Sequence, residues 1–577
     1  MTALDYLVLI GTIIGIASYG IWRTRGRNNL ASYLQGDGKT RWFAIGLSVM
    51  ATQASAVTFL SIPGQGYESG LGFVQIYFGM PIALIIIAAV FLPIYRRLHV
   101  YTAYEYLGRR FDTKTRLFGA AVFLLQRGIG AGITIYAPAI VLSTVMGWRL
   151  DLTIICSGLV VISYTLSGGT DAVNVTQKYQ LSVIFAGMLI AGGVLISKLP
   201  ADLRLADAVA LAGRFHKLEA VNFSFSASNR YTLWSGLFAA TFLMLAYFGA
   251  DQSQVQRYIS GASLRESRLG LMFNAVFKIP MQFLILALGV LLFLFYQFER
   301  PPVYFNQVAW KDLAKQGRAQ ELGAIEKDFA TAHSGERQAL ESWIKARHAG
   351  DSAAETASLA AAGAARDKVS AVREQARAAI DPAKKKKDSD YVFITFILAC
   401  LPHGVIGLLM ASFFAAALSA KAAELNALAS TTTIDIYKHV IRREAPDAHY
   451  LAASKWFTVI WGVISITFAL SATLAENLVQ AVNIVGSIFY PIMLGLFLVG
   501  FALPRVGGTA VFWGAFAAQA LVLALFFMVP DNRLSYLWYN AIGCAACVLL
   551  SLAMQAALDA IGLSPKTARN CINERHI

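Results

Sequence analysis

The chain has 577 residues, of which 57% are hydrophobic and only 14% charged, with a formal net charge of +15. A mean hydropathy of +0.55 excludes a soluble globular domain and places the chain among polytopic membrane proteins. Its long unbroken apolar runs exclude a β-barrel, whose strands would read as short alternating segments.

About 13 spans of roughly 20 or more residues each are expected. They fall near 4–22, 42–66, 74–98, 117–146, 151–168, 176–198, 232–258, 268–298, 402–438, 451–474, 478–503, 508–530 and 534–560. The first, Leu4–Trp22, has no basic stretch before it and no small-residue cleavage site after it, so it reads as a retained helix. Basic clusters follow alternate spans: Arg23, Arg25 and Arg27; Arg96, Arg97, Arg109 and Arg110; Arg257, Arg265 and Arg268; Lys438, Arg442 and Arg443; Lys566, Arg569 and Arg575. All lie on one side if the spans alternate, which puts the N-terminus outside and the C-terminus in the cytoplasm of a cell-membrane protein. The positive charge is thus accounted for by topology, and nucleic acid is not an expected partner.

The second span carries Thr52, Gln53, Ser55 and Thr58, followed by Pro63, Gly64 and Gly66. Polar groups and helix breakers inside a span predict unwinding at mid-membrane, where freed carbonyls can coordinate a cation and freed amides can face an anion. In the fourth span Arg127, beside Gln126, falls near the bilayer centre and needs an acceptor. It could clamp a carboxylate substrate, pair with Asp251 at the end of the seventh span, or cap broken-helix carbonyls. Residues 300–389 depart from the apolar pattern: they are charged and Ala-rich, with a basic run at Lys384–Lys387, and predict a solvated helical hairpin outside the membrane.

The ninth span, around 412–437, is rich in small residues yet holds Lys421, Glu424 and Asn426. Small residues let helices approach closely, and charges at membrane depth mark a partner, a cavity or a function. At about 100° per residue, Lys421 lies roughly 150° from the mean direction of positions 416, 419 and 420, with Glu424 one turn on. An intrahelical Lys421–Glu424 pair is one reading. Lys421 as a substitute for a bound cation, or as a proton carrier, is the other. Cys544 and Cys547 have C-x-x-C spacing but lie inside an apolar span, so they read as packing residues.

Spans two to six and seven to eleven form two sets of five, and an odd count per set inverts the second copy. The expected division is a first helix and loop (1–41), a first repeat (42–199), a loop (200–231), the start of the second repeat (232–299), the insert (300–389), the rest of that repeat (390–503), and C-terminal helices with a short tail (504–577).

The segments ATQASAVTFLSIPGQGY, TAYEYLGRRF, IYAPAI, ADQSQVQRYISG and ELNALASTTTIDIYK resemble the solute:sodium symporter family, nearest its monocarboxylate, multivitamin and iodide branch. The resemblance covers nearly all of the chain outside 300–389. It implies an all-α fold with a five-plus-five inverted repeat of the LeuT-like type and flanking helices. It also implies sodium-coupled symport of a small solute. The family's main sodium site falls here on the carbonyls of Ala51, Ala54 and Ala416 and the hydroxyl of Ser419. Its second hydroxyl position is Ala420, which removes one of several oxygens a hard cation needs. A further sodium site of some members would use positions occupied here by Ala423 and Gln177, which cannot supply the serine and aspartate. Family members that carry sugars place a glutamate where this chain has Tyr77, so a sugar is disfavoured.

The cavity candidates are Gln53, Thr58, Tyr77, Gln126, Arg127, Asp251 and Gln252. The expected function is a secondary transporter in which a cation gradient drives uptake of a small, anionic organic solute. A sodium-independent or proton-coupled carrier of the same fold is the alternative, and a non-transporting sensor a more distant one. No nucleophile–base pair or metal cluster suggests an enzyme, and no cofactor beyond the coupling ion is expected.

Overall fold

The computed structural model describes residues 1–24, 40–98, 100–380, 387–471, 476–530 and 532–563, with side chains outside 16–24 and 167–179. Gln177 and the basic clusters at 23–27 and 566–575 therefore lie outside the described side chains. The described residues are helical throughout, apart from loops and one isolated bridge between Thr40 and Gly261. Nine helical stretches among them are long and apolar enough to cross a membrane, against the 13 or so expected. The other expected positions coincide with apolar helices of 10–17 residues, including Trp42–Gln53 and Ser235–Gly249. The spans expected at 151–168 and 176–198 fall within one helical stretch, Leu150–Ser197.

The second span is interrupted, but not where its breakers stand. Trp42–Gln53 ends at Ala54 (φ −81°, ψ 56°), and Ala56–Ser69 begins after the extended Ser55 (φ −75°, ψ 177°). Pro63 sits inside the second half without breaking it. The neighbouring glycines serve close approach instead. A Cβ on Gly64 would come within 2.1 Å of the Ser389 carbonyl oxygen, and one on Gly66 within 2.5 Å of that of Leu286. The seventh span is interrupted as well: Ala240–Gly249 stops at Ala250, and Asp251 caps Gln252–Ile259 by accepting from Ser253 N at 2.9 Å. The leading helix of each five-helix set is thus broken, and each break leaves backbone groups without intrahelical partners.

The small-residue helix Val405–Thr431 is buried along almost its entire length and packs against Trp42–Gln53, Ala56–Ser69, Thr113–Thr134 and Leu150–Ser197. Beyond the membrane core, Ala319–Ala349 and Ser352–Ile380 form a helical hairpin that turns at Gly350 (φ +73°). The hairpin has a small apolar core of its own, including Tyr304, Trp310, Phe329 and Val369.

Candidate functional site

A cavity of about 120 Å³ opens beside the first break. It is lined by Thr52, Gln53, Ser55 and Thr58 of the broken helix, Tyr77, Arg127 and Thr134, Tyr247, Lys278, Glu424, Asn483 and Tyr490. Thr58 Oγ1 donates to the Gln53 carbonyl at 2.8 Å, which satisfies one of the acceptors released by the break.

One wall of this cavity is a closed charge network. Arg127 (4% exposed) pairs with Asp251 and donates to Glu424 Oε1 at 3.2 Å and to the Tyr490 hydroxyl at 3.1 Å. Tyr490 donates to Asp251 Oδ2 at 2.8 Å, and Ser253 donates its backbone N–H and its hydroxyl to Oδ1 at 2.9 and 2.7 Å. Lys421 Nζ reaches Thr134 Oγ1 at 2.7 Å and Glu424 Oε2 at 3.3 Å, while Thr134 donates to the same Oε2 at 2.8 Å. Two cations thus meet two carboxylates drawn from the arginine helix, the second break and the small-residue helix. Buried ions persist in this form because each charge has a counter-charge and further hydrogen bonds. Of the three expected roles for Arg127, the structure displays pairing with Asp251. Of the two for Lys421, it displays the pair with Glu424.

Another part of the lining differs. Lys278, on Leu264–Phe298, is 1% exposed and makes no ion pair or hydrogen bond with any described residue. Its Nζ lies 5.7 Å from the centroid of the Tyr77 ring. A cation–π contact offsets part of the desolvation of an ammonium, and an anionic ligand would offset the rest.

Four of the expected cavity residues, Gln53, Thr58, Tyr77 and Arg127, line the cavity. Three do not. Asp251 lies behind Arg127 as its counter-ion. Gln252 holds the segment Tyr101–Ala103, accepting from Ala103 N at 3.0 Å and donating to the Tyr101 carbonyl at 2.9 Å. Gln126 is fully buried, and its amide meets no described partner. Of the expected cation ligands, Ala51 and Ala54 sit where the first half-helix ends, so their carbonyls lack the next-turn donors. Ala416 and Ser419 lie on the helix packed against that half. The Ser419 hydroxyl donates to Gln180 Oε1 at 3.1 Å.

Sequence reasoning passed over Lys278, Thr134, Tyr247, Asn483 and Tyr490. A lone lysine inside the apolar run LMFNAVFKIPMQF was the signal available for the first. The second break was legible too, since Asp251 followed by Ser253 within an apolar span is a helix N-terminus signature.

Two interrupted helices that border a buried polar cavity inside a helical bundle define a secondary transporter of the LeuT-like class. The sodium:solute symporter family model matches residues 33–306 and 370–518, and the chain belongs to that family. The human sodium/iodide cotransporter is 25% identical over 569 residues, covering 96% of this chain and 75% of that one. Human sodium-coupled monocarboxylate transporter 1 is 32% identical over 275 residues, 47% of this chain and 45% of the relative. Among solved structures, a sodium-coupled sialic acid symporter in a substrate-bound outward-open state matches with a TM-score of 0.73 at 22% identity. That match covers 96% of this chain and 98% of the other. The chain is therefore a multi-pass membrane protein and a sodium:solute symporter family transporter.

Proposed function

We propose that this transporter carries a small organic anion, with Lys278 as its electrostatic anchor and Gln53, Thr58 and Tyr77 as its neighbours. The observation that carries the reading is the Lys278 side chain, buried beside the cavity with no described counter-ion. Arg127 is already neutralised by Asp251 and Glu424, so it shapes the cavity without adding net charge. The relatives fit this reading: iodide, monocarboxylates and sialic acid, named for three of them, are all anions or acids. Sodium is the proposed coupling ion, held by the carbonyls of Ala51, Ala54 and Ala416 and the hydroxyl of Ser419. The protein sits in the cell membrane with its N-terminus outside and its C-terminus in the cytoplasm. Alternating access moves the cavity between the two faces, with sodium favouring the outward-open form.

The test is uptake into proteoliposomes of labelled lactate, pyruvate, sialic acid and iodide, with sodium or choline outside. Sodium-dependent accumulation of at least one of them is expected, and Lys278→Gln should cut it by more than about tenfold. Undiminished uptake in that variant would remove Lys278 from the reading.

A second reading has an observation of its own. Ala420 and Ala423 offer no hydroxyl, and Ser419 spends its own on Gln180. A carrier that runs without sodium would show equal accumulation in sodium and choline. On the sodium reading, Ala420→Ser and Ala423→Ser steepen sodium dependence, and two silent variants would favour the rival.

A further inference from the structure

A second cavity, of about 340 Å³, lies between the insert and the ends of two core helices. Its floor includes Tyr67, near the end of Ala56–Ser69, and Gln297, near the end of Leu264–Phe298. Its roof is a stripe of arginines on Ser352–Ile380. Arg366, Arg373 and Arg377 are spaced by seven and four residues and so share one helix face. Tyr67 stands nine residues beyond Thr58 of the central cavity, roughly 14 Å along the same helix. The family model leaves 307–369 unmatched, so most of the hairpin that roofs this cavity is an addition to the common pattern.

The charges are unevenly used. Arg366 pairs with Glu336 at 3.3 Å, and Arg377 with Glu68 at 3.0 Å and Glu374 at 2.9 Å. Lys387, also on the wall, pairs with Glu476 at 2.7 Å. Arg373 makes no ion pair with a described carboxylate. Its one hydrogen bond goes to the Pro302 carbonyl at 3.0 Å, and its guanidinium lies over Phe305 and Phe329. Gln297, on the same cavity, is 4% exposed, and its Oε1 is buried with no described donor. Arg373, which has no carboxylate within ion-pair distance and only the through-space field of Glu336, and Gln297, whose amide oxygen meets no described donor, both border this cavity, as do Glu68, Glu336 and Glu374.

We propose that this cavity is a vestibule site for a small organic anion, with the ligand's carboxylate on Arg373 and a hydroxyl or N–H donor on Gln297 Oε1. The inference rests on the anionic-solute reading of the central site and adds a second, separate station on the insert side of it. A ligand held here raises the local supply to the central cavity, and its capture weakens as salt screens the arginines.

The test uses the full chain in nanodiscs and equilibrium binding of labelled lactate, which has the donor, and pyruvate, which lacks it. Lys278→Gln, which disables the central anchor, should leave one class of lactate sites. Adding Arg373→Gln should weaken that class by at least about tenfold, and adding Arg373→Lys, which keeps the charge, by less. Gln297→Leu in the Lys278→Gln background should weaken lactate but not pyruvate. Loss of all lactate binding in Lys278→Gln alone, or residual binding indifferent to Arg373→Gln, would overturn the vestibule while the central reading stands. The reverse pattern, with Lys278→Gln silent and Arg373→Gln effective, would leave the vestibule and remove the central anchor.

Discussion

The two walls of the central cavity treat buried charge in opposite ways. On one side Arg127, Lys421, Asp251 and Glu424 neutralise each other, with Thr134, Tyr490 and Ser253 filling the remaining hydrogen-bond positions. On the other, Lys278 stands without a counter-ion. Four charges that satisfy one another hold helices together. A charge that nothing satisfies is available to a ligand. The residue that stands out most in the sequence, an arginine at the centre of a span, is thus held in a network of the protein's own charges, and the less conspicuous lysine is the one proposed to meet a ligand.

The contrast is broken most severely at Asp251. Asp251→Ala leaves Arg127 buried without its nearest counter-ion, and a loss of about 3–5 kcal/mol is expected in denaturant titrations in mixed micelles. A loss below about 1 kcal/mol would mean that water or Glu424 neutralises the guanidinium unaided. Glu424→Gln should cost less, about 1.5–3 kcal/mol, because Arg127 keeps Asp251 and Lys421 keeps Thr134. Lys278→Met should go the other way: unchanged or higher stability by the same titration, with uptake largely lost. A destabilised Lys278→Met would show that the lysine has a structural partner and erase the distinction between the walls.

The smallest effect sharpens the comparison through another buried cation, Lys217, outside the membrane-spanning segments. Lys217 lacks an ion pair among the described residues and donates instead to the carbonyls of Tyr67, at 2.9 Å, and Glu68, at 2.5 Å. Burial, helped by the like charge of Arg366, pushes its pKa down to about 7. Between that value and the ordinary lysine value near 10.4, the unfolded chain binds more protons than the folded one. Stability should therefore rise as pH rises through this window, by less than about 1.4 kcal/mol per pH unit, and level off below pH 7. Lys217→Met should flatten that slope, and an unchanged slope would place the titration elsewhere.

Much of the architecture was legible because membrane spans are written in long apolar runs and small-residue faces. The interruption near Gln53 was legible from its polar residues, whereas its exact position was not. Pro63 lacks only one backbone donor, and the glycines around it answer to the backbones of Ser389 and Leu286, which are remote in sequence. Asp251 was visible as a polar residue in a span, but whether it faces a ligand or Arg127 depends on how two helices meet. Lys278 was overlooked because its significance lies in the absence of a neighbouring carboxylate, a property of the assembled bundle and not of any local stretch. The vestibule was beyond reach for the same reason: the arginine stripe acquires a floor only when the hairpin folds back over Tyr67 and Gln297.

The guanidinium of Arg127 touches groups from three other places in the chain: the junction at Asp251, Glu424 and Tyr490. A pin through four parts stops each from sliding past the rest unless charged contacts are torn open in a dry environment. A motion that carries the four parts as one block is the cheaper one, because it leaves those contacts intact.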